Sequence, residues 1–542
     1  MSLYDIPSDT SSIIKEYLTY HLKYIEKYGE KTIILMMVGS FYECYSVYNE
    51  EIQIGPDLQM FSNLLNIQVS RRNKNIPEIN FHNWSLLGVP SISLIKYRDI
   101  LLNYGYTIVI VDQISSPPNP ERAVTEIISP STIVETYDNQ DNHYLLSIYI
   151  NEYPTSTYEK IVVIGISAID ISTGVNYVHK IQSSIKDNKL WKDELYRIVH
   201  NYNPSEIVIQ HDIESTVISL NEISSILCFD ESKIYFQSIS IEPIHQISYQ
   251  NEFLKKIFRD HGFLSPIEYL NFENEIEITY SYLYMIQFIY EHKIENIQNI
   301  HKPIIKENHN FLSLSYNCIH QLYITEALEH RSEKYNSLLS ILNQCNTAIG
   351  RRLCKDRLLY PIIDPDQLNQ RYSEVETFMI QSEGMYFYER CVPHLKKIID
   401  SERIHRKISL TTIHPYEFFS LHYSYEYCKK IYHLIVDHLD DYSTKYQSVY
   451  DRLLLFQADY LSIFQIKELE KWSLLSIESS IFQKDIYPEI DQIDEKIKKR
   501  KLYLECIANQ LGKYIDRKKE NMIKVSYSEK YGWHLHMTKN RG

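Results

Sequence analysis

Hydrophobic positions along this chain change period more than once. Over residues 12–28, Ile13, Ile14, Tyr17, Leu18 and Leu22 recur at helical spacing, which predicts an amphipathic helix. From Ile33 to Tyr48 the pattern becomes a β-branched and aromatic run around Gly39, which predicts strands. Residues 94–104 return to helical spacing, and residues 107–112 form another β-branched strand pattern. Ser115-Ser-Pro-Pro-Asn-Pro120 reads as a loop. A second alternation begins near Tyr144. Residues 161–168 predict a buried strand, Asp170-Ile-Ser-Thr-Gly174 a hairpin turn, residues 191–201 a helix and residues 206–210 a strand. Both stretches therefore predict α/β units.

Beyond about residue 276 strand signals nearly vanish. Helical patterns run over 276–297, 316–344, 346–359, 365–382, 386–407, 416–440, 446–457 and about 485–517. Pro361 and Pro365 punctuate one helix junction. Residues 523–527 and 533–538 then predict the two strands of a hairpin. The expected fold class is multidomain, α/β followed by all-α. It comprises two α/β domains (1–135 and 140–270), a long-helix domain (276–495) and a short β-bearing segment (496–542).

Composition narrows the class. A hydrophobic fraction of 44% and a charged fraction of 23% exclude a wholly disordered chain. The apolar runs fall short of the ~20 residues that a membrane helix needs. The first residues lack the basic-then-apolar order of a secretory leader. Eight scattered cysteines without a C-x-x-C pair predict reduced thiols and an intracellular setting; cytoplasm, nucleus, organelle and viral factory are not distinguished. Net charge is −14, yet residues 496–542 hold ten Lys and three Arg against four acids. That segment is +9 and leaves −23 on the remainder. A basic tip on an acidic body suits local contact with phosphates, and equally suits a solvated Lys-rich helix.

Gly39-Ser-Phe-Tyr-Glu43, Thr347-Ala-Ile-Gly-Arg351 and Ile523-Lys-Val-Ser-Tyr527, in that order and with further motifs between them, resemble the MutS family of mismatch-recognition proteins. Gly39-Ser-Phe-Tyr-Glu-Cys-Tyr45 is similar to the family's Gly-x-Phe-Tyr-Glu motif. Leu65-Asn-Ile-Gln-Val-Ser-Arg71, Gly88-Val-Pro90 and Gly105–Gln113 continue the likeness, with Asp112 where Glu is usual. Arg122-Ala-Val-Thr125 and Ser129-Pro-Ser-Thr132 resemble the link to a connector domain, with Ser129 and Ser131 replacing the usual Thr and Gly. Asp170-Ile-Ser-Thr-Gly174 carries a weaker connector likeness. Ser337–Leu342, Thr347-Ala-Ile-Gly-Arg351, Arg371–Val375 and Ile399-Asp-Ser-Glu-Arg403 resemble the core helices. Residues 523–527 and 531–539 resemble the first half of the family's clamp, and the helices before them its levers.

The resemblance implies DNA as partner and assigns roles. Phe41 and Glu43, two apart in a strand, would project together as a mismatch-reading wedge and carboxyl. Taken alone, those residues also suit an aromatic strand end in a core with a solvated Glu. Arg71, Arg72, Lys96 and Arg98, with Lys74 nearby, and Lys524, Lys530 and Lys539 of the clamp would meet the DNA backbone. Gly350 and Ala348 suggest close helix packing, and Asp400, Glu402 and Arg403 a helix-surface ion pair or a junction network. His534 and His536 alternate without a third ligand, so no metal site is expected.

The family's ATPase domain carries a Gly-x-x-x-x-Gly-Lys-Ser/Thr loop. Here the single Gly-Lys pair, Gly512-Lys513, is followed by Tyr514, and position 507 is Ile. The chain as given is therefore expected to be no enzyme: no catalytic residues, no cofactor of its own, and ATP with Mg only in a separate ATPase part. Three readings follow: the N-terminal part of a split or truncated gene, a fragment of a longer protein, or a binding paralogue without ATP. Mispaired or looped duplex DNA is the expected partner, with a dimer partner or separately encoded ATPase subunit possible and no membrane. A scaffold that binds branched DNA without reading mismatches is the remaining alternative.

Overall fold

In the computed structural model the residues described are 7, 10–49, 52–115, 120–134, 142–154, 160–183, 187, 189–211, 218–238, 243–306, 310–325, 335–382, 384–438, 443–471, 479–515, 523–528 and 532–537. Helix α1 (Ser12–Tyr28) precedes strands β1 (Thr32–Val38), β2 (Phe41–Tyr48) and β3 (Gln53–Ile54). Helix α2 (Leu58–Leu65) is capped by the Asp57 carboxylate, which accepts from the Gln59 and Met60 amides. Then come β4 (Ser70–Arg71), β5 (Ser85–Pro90), α3 (Leu94–Asn103), β6 (Thr107–Gln113) and β7 (Arg122–Ile128). The seven strands form one sheet in the order β4-β5-β2-β1-β6-β7, with β3 paired to β2. Ile33, Ile34 and Leu35 of β1 and Ile108 to Val111 of β6 are buried, as a central pair covered on both faces requires.

A six-stranded sheet follows, ordered β12-β11-β8-β9-β10-β13. Its members are β8 (Tyr144–Pro154), β9 (Lys160–Asp170), β10 (Val175–Gln182), β11 (Glu206–His211), β12 (Ile234–Ser238) and β13 (Ile304–Ile305). Between them lie α4 (Leu190–Tyr202), α5 (Leu220–Leu227), α6 (Ile247–Lys255), α7 (Pro266–Leu270) and α8 (Ile276–His292). Helix α8, expected to open the helical domain, instead lies flat on β8 and β9. Small residues make room for it: Ser281 donates to the Ser147 carbonyl at 2.8 Å and sits 3.0 Å from the Ser167 hydroxyl. Next to them Gly165 faces the first turn of α8. The same helix joins the two sheets. Tyr28 of α1 packs edge-on to Phe288 and His292 within a single apolar core.

The later elements are α9 (Tyr316–Gln321), α10 (Leu338–Leu342), α11 (Ala348–Leu359), α12 (Pro365–Phe378), β14 (Gln381–Ser382), β15 (Met385–Tyr386), α13 (Phe387–Leu395), α14 (Ser401–Ser409), α15 (Pro415–His438), α16 (Ser443–Ile463), α17 (Ile466–Lys471), α18 (Pro488–Ile515), β16 (Lys524–Ser528) and β17 (Gly532–His536). They divide between two units, one of residues 1–376 and 402–412 and the other of residues 377–401 and 413–542. Some expected helices are shorter than their hydrophobic patterns. The 316–344 pattern is broken because Tyr323 adopts a left-handed φ of 49° and receives the Leu338 amide on its carbonyl. The 386–407 pattern splits between α13 and α14, and the Ile399 amide is taken up by the Ser424 hydroxyl. The 365–382 pattern ends early because Gly384, at φ 78°, lets β14 pair with β15. The final hairpin pairs Lys524 with His536 and Tyr527 with Trp533. It rests on α18 partly through the Lys501 ammonium, 5.1 Å from the centre of the Trp533 ring.

Two motifs far apart in sequence meet in the first unit. The Asp170–Gly174 turn closes with the Gly174 amide on the Asp170 carbonyl at 2.7 Å, and Gly174 holds φ at 77°. The Asp170 carboxylate accepts from the Ser172 hydroxyl at 2.6 Å, and Arg403 donates to that hydroxyl oxygen at 3.1 Å. Arg406 donates to the main-chain carbonyls of Ile171, Gln298 and Asn296. Arg352 pairs with Glu402 at 2.5 Å. So of the two arrangements expected for Asp400, Glu402 and Arg403, the helix-surface ion pair and the junction network, Glu402 and Arg403 take part in a junction, and Arg406 adds three main-chain contacts beside them. Burial lowers the Arg406 guanidinium to about 10, with Asp170 opposing that shift.

Candidate nucleic-acid interface

Strand β2 begins after a two-residue turn, Gly39-Ser40, in which Gly39 holds φ at 62°. Phe41 is therefore the first residue of its strand and lies at the sheet margin, 43% exposed. Tyr42 behind it is buried, and Glu43 is half-buried. Across the ladder Phe41 pairs with Pro90 and Glu43 with Gly88. A β-carbon at Gly88 would lie 3.4 Å from Glu43 Cγ and 3.8 Å from Phe41 Cδ1. Both side chains thus stand over one glycine, on one face. The period-two expectation holds here, and the neighbouring strand contributes only a glycine opposite Glu43, with Pro90 opposite Phe41.

Tyr42 turns the other way and ties three strands together. Its hydroxyl donates to Asp112 Oδ1 on β6 at 2.6 Å, and Thr125 on β7 donates to Asp112 Oδ2 at 2.5 Å. Burial, reinforced by the Asp112 carboxylate, raises the Tyr42 phenol well above its ordinary value. Asp112, noted in the sequence as a departure from Glu, thus has a defined partner. Tyr42→Phe should lower stability by roughly 1–3 kcal/mol, because a carboxylate loses a donor while the ring keeps its volume. Urea unfolding reads this directly, and an unchanged midpoint would contradict it.

Glu43 has one hydrogen bond among the described residues: the Tyr45 hydroxyl donates to Oε2 at 2.6 Å. Tyr45 itself is buried, edge-on to Tyr17 at 5.2 Å and to Trp84 at 6.3 Å. Sequence reasoning missed Tyr45. The signal was present, since Tyr45 is the next member of the i, i+2 series that contains Phe41 and Glu43.

The expected cations are dispersed. Lys96 is exposed near the start of α3, just beyond a turn in which the Ser91 amide binds the Ser40 carbonyl at 2.9 Å. It therefore belongs to the Phe41 end of the sheet. Arg71 pairs in register with Ser85, at the other end of β5 from Pro90. At about 3.3 Å per residue that separation is roughly 17 Å. The Arg71 guanidinium donates to the Pro77 carbonyl at 2.7 Å, and Arg72 lies 4.5 Å from the centre of the Trp84 ring. Both guanidiniums are held by a carbonyl or a ring, not by a carboxylate, and their charge stays available. Arg98 differs: its side chain is 11% exposed and pairs with Asp99 at 3.1 Å. That geometry suits packing of α3 better than phosphate contact. Lys524 is exposed on the hairpin, whereas Lys530 and Lys539 lie outside the described residues. His534 uses Nδ1 against the Gly532 carbonyl at 2.9 Å.

Below this site the link between the sheets is locked by a buried carboxylate. Glu206 Oε2 accepts from the Ser129 hydroxyl at 2.5 Å, from the Ser131 amide at 3.0 Å and from the Ser131 hydroxyl, while Oε1 accepts from Tyr235 at 2.9 Å. The two serines that depart from the motif are therefore both used as donors.

Comparison with known proteins agrees with this picture. The model for MutS domain I matches residues 18–137, and the model for MutS domain III matches residues 317–521. The mutS homolog L359 of Acanthamoeba polyphaga mimivirus is 29% identical over 512 residues, covering 90% of this chain and 45% of that protein. The DNA mismatch repair protein MutS of Caldanaerobacter subterraneus is 25% identical over 530 residues, covering 96% of this chain and 54% of that protein. That of Alkaliphilus metalliredigens is 25% identical over 532 residues, with 95% and 54% covered. The chain spans about half the length of the curated relatives it matches. Among the described residues no helix is long and apolar enough to cross a membrane. Two segments matching separate domains of one family, in order and with the Phe41-Tyr-Glu43 motif in the first, mean that the chain belongs to the MutS family.

Proposed function

We propose that this chain recognises mispaired or looped-out bases in duplex DNA, as a mismatch-repair protein, by inserting Phe41 beside the weak site. The observation that carries the reading is the exposed ring of Phe41 at a strand margin, with Glu43 over the same glycine. An aromatic ring pushed into the minor groove unstacks a base step and bends the duplex. Unstacking costs a few kcal/mol, and costs least where pairing is already lost. That difference supplies the discrimination. Glu43 meets the displaced base by a hydrogen bond and disfavours close approach to perfect duplex through its charge. Lys96 would hold phosphate beside the wedge, and Arg71 and Arg72 phosphate about five base pairs away. Lys524, Lys530 and Lys539 would hold backbone at the hairpin, so binding weakens with salt.

The relatives are named as DNA mismatch repair proteins, and each is about twice as long as the matched segment. ATP-driven switching and dimerisation belong in this reading to a further ATPase part, in the same polypeptide or in another. A scaffold role on branched DNA is the second reading, and Phe-x-Glu at an exposed margin weighs against it. Band shifts with mismatched, perfect and four-way-junction DNA decide between them. Phe41→Ala should cut the mismatched-to-perfect affinity ratio by about five- to 150-fold, since base–aromatic stacking is worth about 1–3 kcal/mol. Equal affinity of the parent chain for mismatched and perfect duplex would remove the proposal, and preference for junctions would favour the scaffold.

A further inference from the structure

Tyr45 does something that a packing residue need not do. Its ring is fixed by Tyr17 and Trp84, and its single hydroxyl hydrogen is directed at Glu43 Oε2, 2.6 Å away. No other acceptor for that hydrogen is found among the described residues. Burial, reinforced by the Glu43 carboxylate, holds the phenol well above its ordinary value, so the hydroxyl keeps its proton and acts as donor. Glu43 then has Oε2 occupied and Oε1 without a hydrogen bond among the described residues, at the half-buried position beside the exposed Phe41 ring.

The bases differ in what they offer such a group. Thymine and guanine carry a ring N–H on the pairing edge. Adenine and cytosine carry a bare ring nitrogen there, which needs a donor. A carboxylate held as an acceptor bonds the first pair directly. It meets the second pair's ring nitrogen lone pair to lone pair, and reaches only the exocyclic amino group.

We propose that Tyr45 is a positioning residue for Glu43, fixing the carboxylate as a one-oxygen acceptor so that the site favours displaced thymine and guanine over adenine and cytosine. This rests on the Phe-x-Glu reading above and adds its base selectivity and the residue responsible. The Tyr45 hydroxyl orders the carboxylate before DNA arrives, so the selective hydrogen bond forms without a further cost in side-chain freedom.

The test uses the full chain and four duplexes, each with one extra unpaired T, G, A or C in the same flanking sequence, beside perfect duplex. Affinities are read by fluorescence anisotropy at fixed salt. The parent chain should rank T and G above A and C. Tyr45→Phe, which keeps the ring, should still unfold in one cooperative transition and keep the affinity for perfect duplex, and should narrow the T-to-A ratio by about three- to tenfold, the net worth of a typical hydrogen bond. In a Glu43→Gln background, Tyr45→Phe should leave the ranking unchanged, because the group it positions is gone. A merely structural tyrosine would shift all five affinities together. A parent chain that prefers extra-base duplexes without ranking the bases, or a ranking that survives Tyr45→Phe, overturns this proposal and spares the wedge. A parent chain with no preference for extra-base over perfect duplex overturns both.

Discussion

Gly165→Ala is expected to destabilise the first unit by about 3 kcal/mol or more, at or beyond the upper end of ordinary overpacking. A β-carbon at this position would sit 2.0 Å from the Glu277 carbonyl oxygen and 2.2 Å from its carbon. Those are main-chain atoms in the first turn of α8, so no side chain can rotate out of the way. Nor can the helix end slide freely. The Glu277 carboxylate accepts from Tyr153 at 2.5 Å, and Lys180 pairs with Glu275 at 2.7 Å. Two hydroxyl contacts from Ser281 hold the following turn on the sheet. Relief would require lifting α8, and α8 is the element whose buried face joins both sheets. Gly512→Ala is the matching control. It lies within α18 with nothing within 4 Å of its would-be β-carbon, and alanine there should add roughly 0.5–1 kcal/mol through helix propensity. Urea titration of both variants reads opposite signs. A Gly165→Ala midpoint equal to that of the parent would show that α8 does not lie where it is placed here.

Acidification from pH 7 to pH 5 should be the second large effect. Burial lowers His179 to about 3 and His21 to about 4. His292 also falls to about 4, through burial opposed by its bond to the Phe288 carbonyl. In the unfolded chain each titrates near 6.5. Between the two values the unfolded state binds more protons, so stability rises with pH across that window and is lost as pH falls below about 6.5. Each histidine contributes up to about 1.4 kcal/mol per pH unit, and the three together up to about 4. His200 and His405 are shifted in the same direction by burial. Asp170 runs the other way. Burial raises it, against the pull of Ser172 and Arg403, so its protonation on acidification partly offsets the loss. That is one group against several. Urea midpoints at pH 7.5, 6 and 5 should fall steeply over the last interval, and a flat profile would refute the account.

What could be read from the sequence was what depends on near neighbours. Phe41 and Glu43 share a face because alternation along a strand is a local rule, and the ladder partner Gly88 merely leaves that face open. Helix α1 was legible to its ends for the same reason. The sequence could not reveal where chain segments return. Residues 276–297 read as another helix of the helical region, yet the glycine and serines that seat α8 lie more than 100 positions earlier. Arg403 stood out in its motif, whereas Arg406, which donates to three main-chain carbonyls, did not, because those partners come from positions 171, 296 and 298. Tyr323 broke a helix pattern that hydrophobic spacing alone would continue, since spacing carries no information about a single left-handed residue.

The Arg406 contacts have one more implication. A guanidinium that grips three peptide oxygens senses the course of the backbone and is indifferent to which side chains decorate it. Its grip therefore sets no side chain at 171, 296 or 298; what holds Ile171 is its burial in the core, and what holds Asn296 is its amide bond to the Thr132 carbonyl, 3.0 Å away. Arg406 thus reads the backbone of this joint while Arg403 reads a side chain, and the glycine at 174 leaves the space that Arg406 passes through.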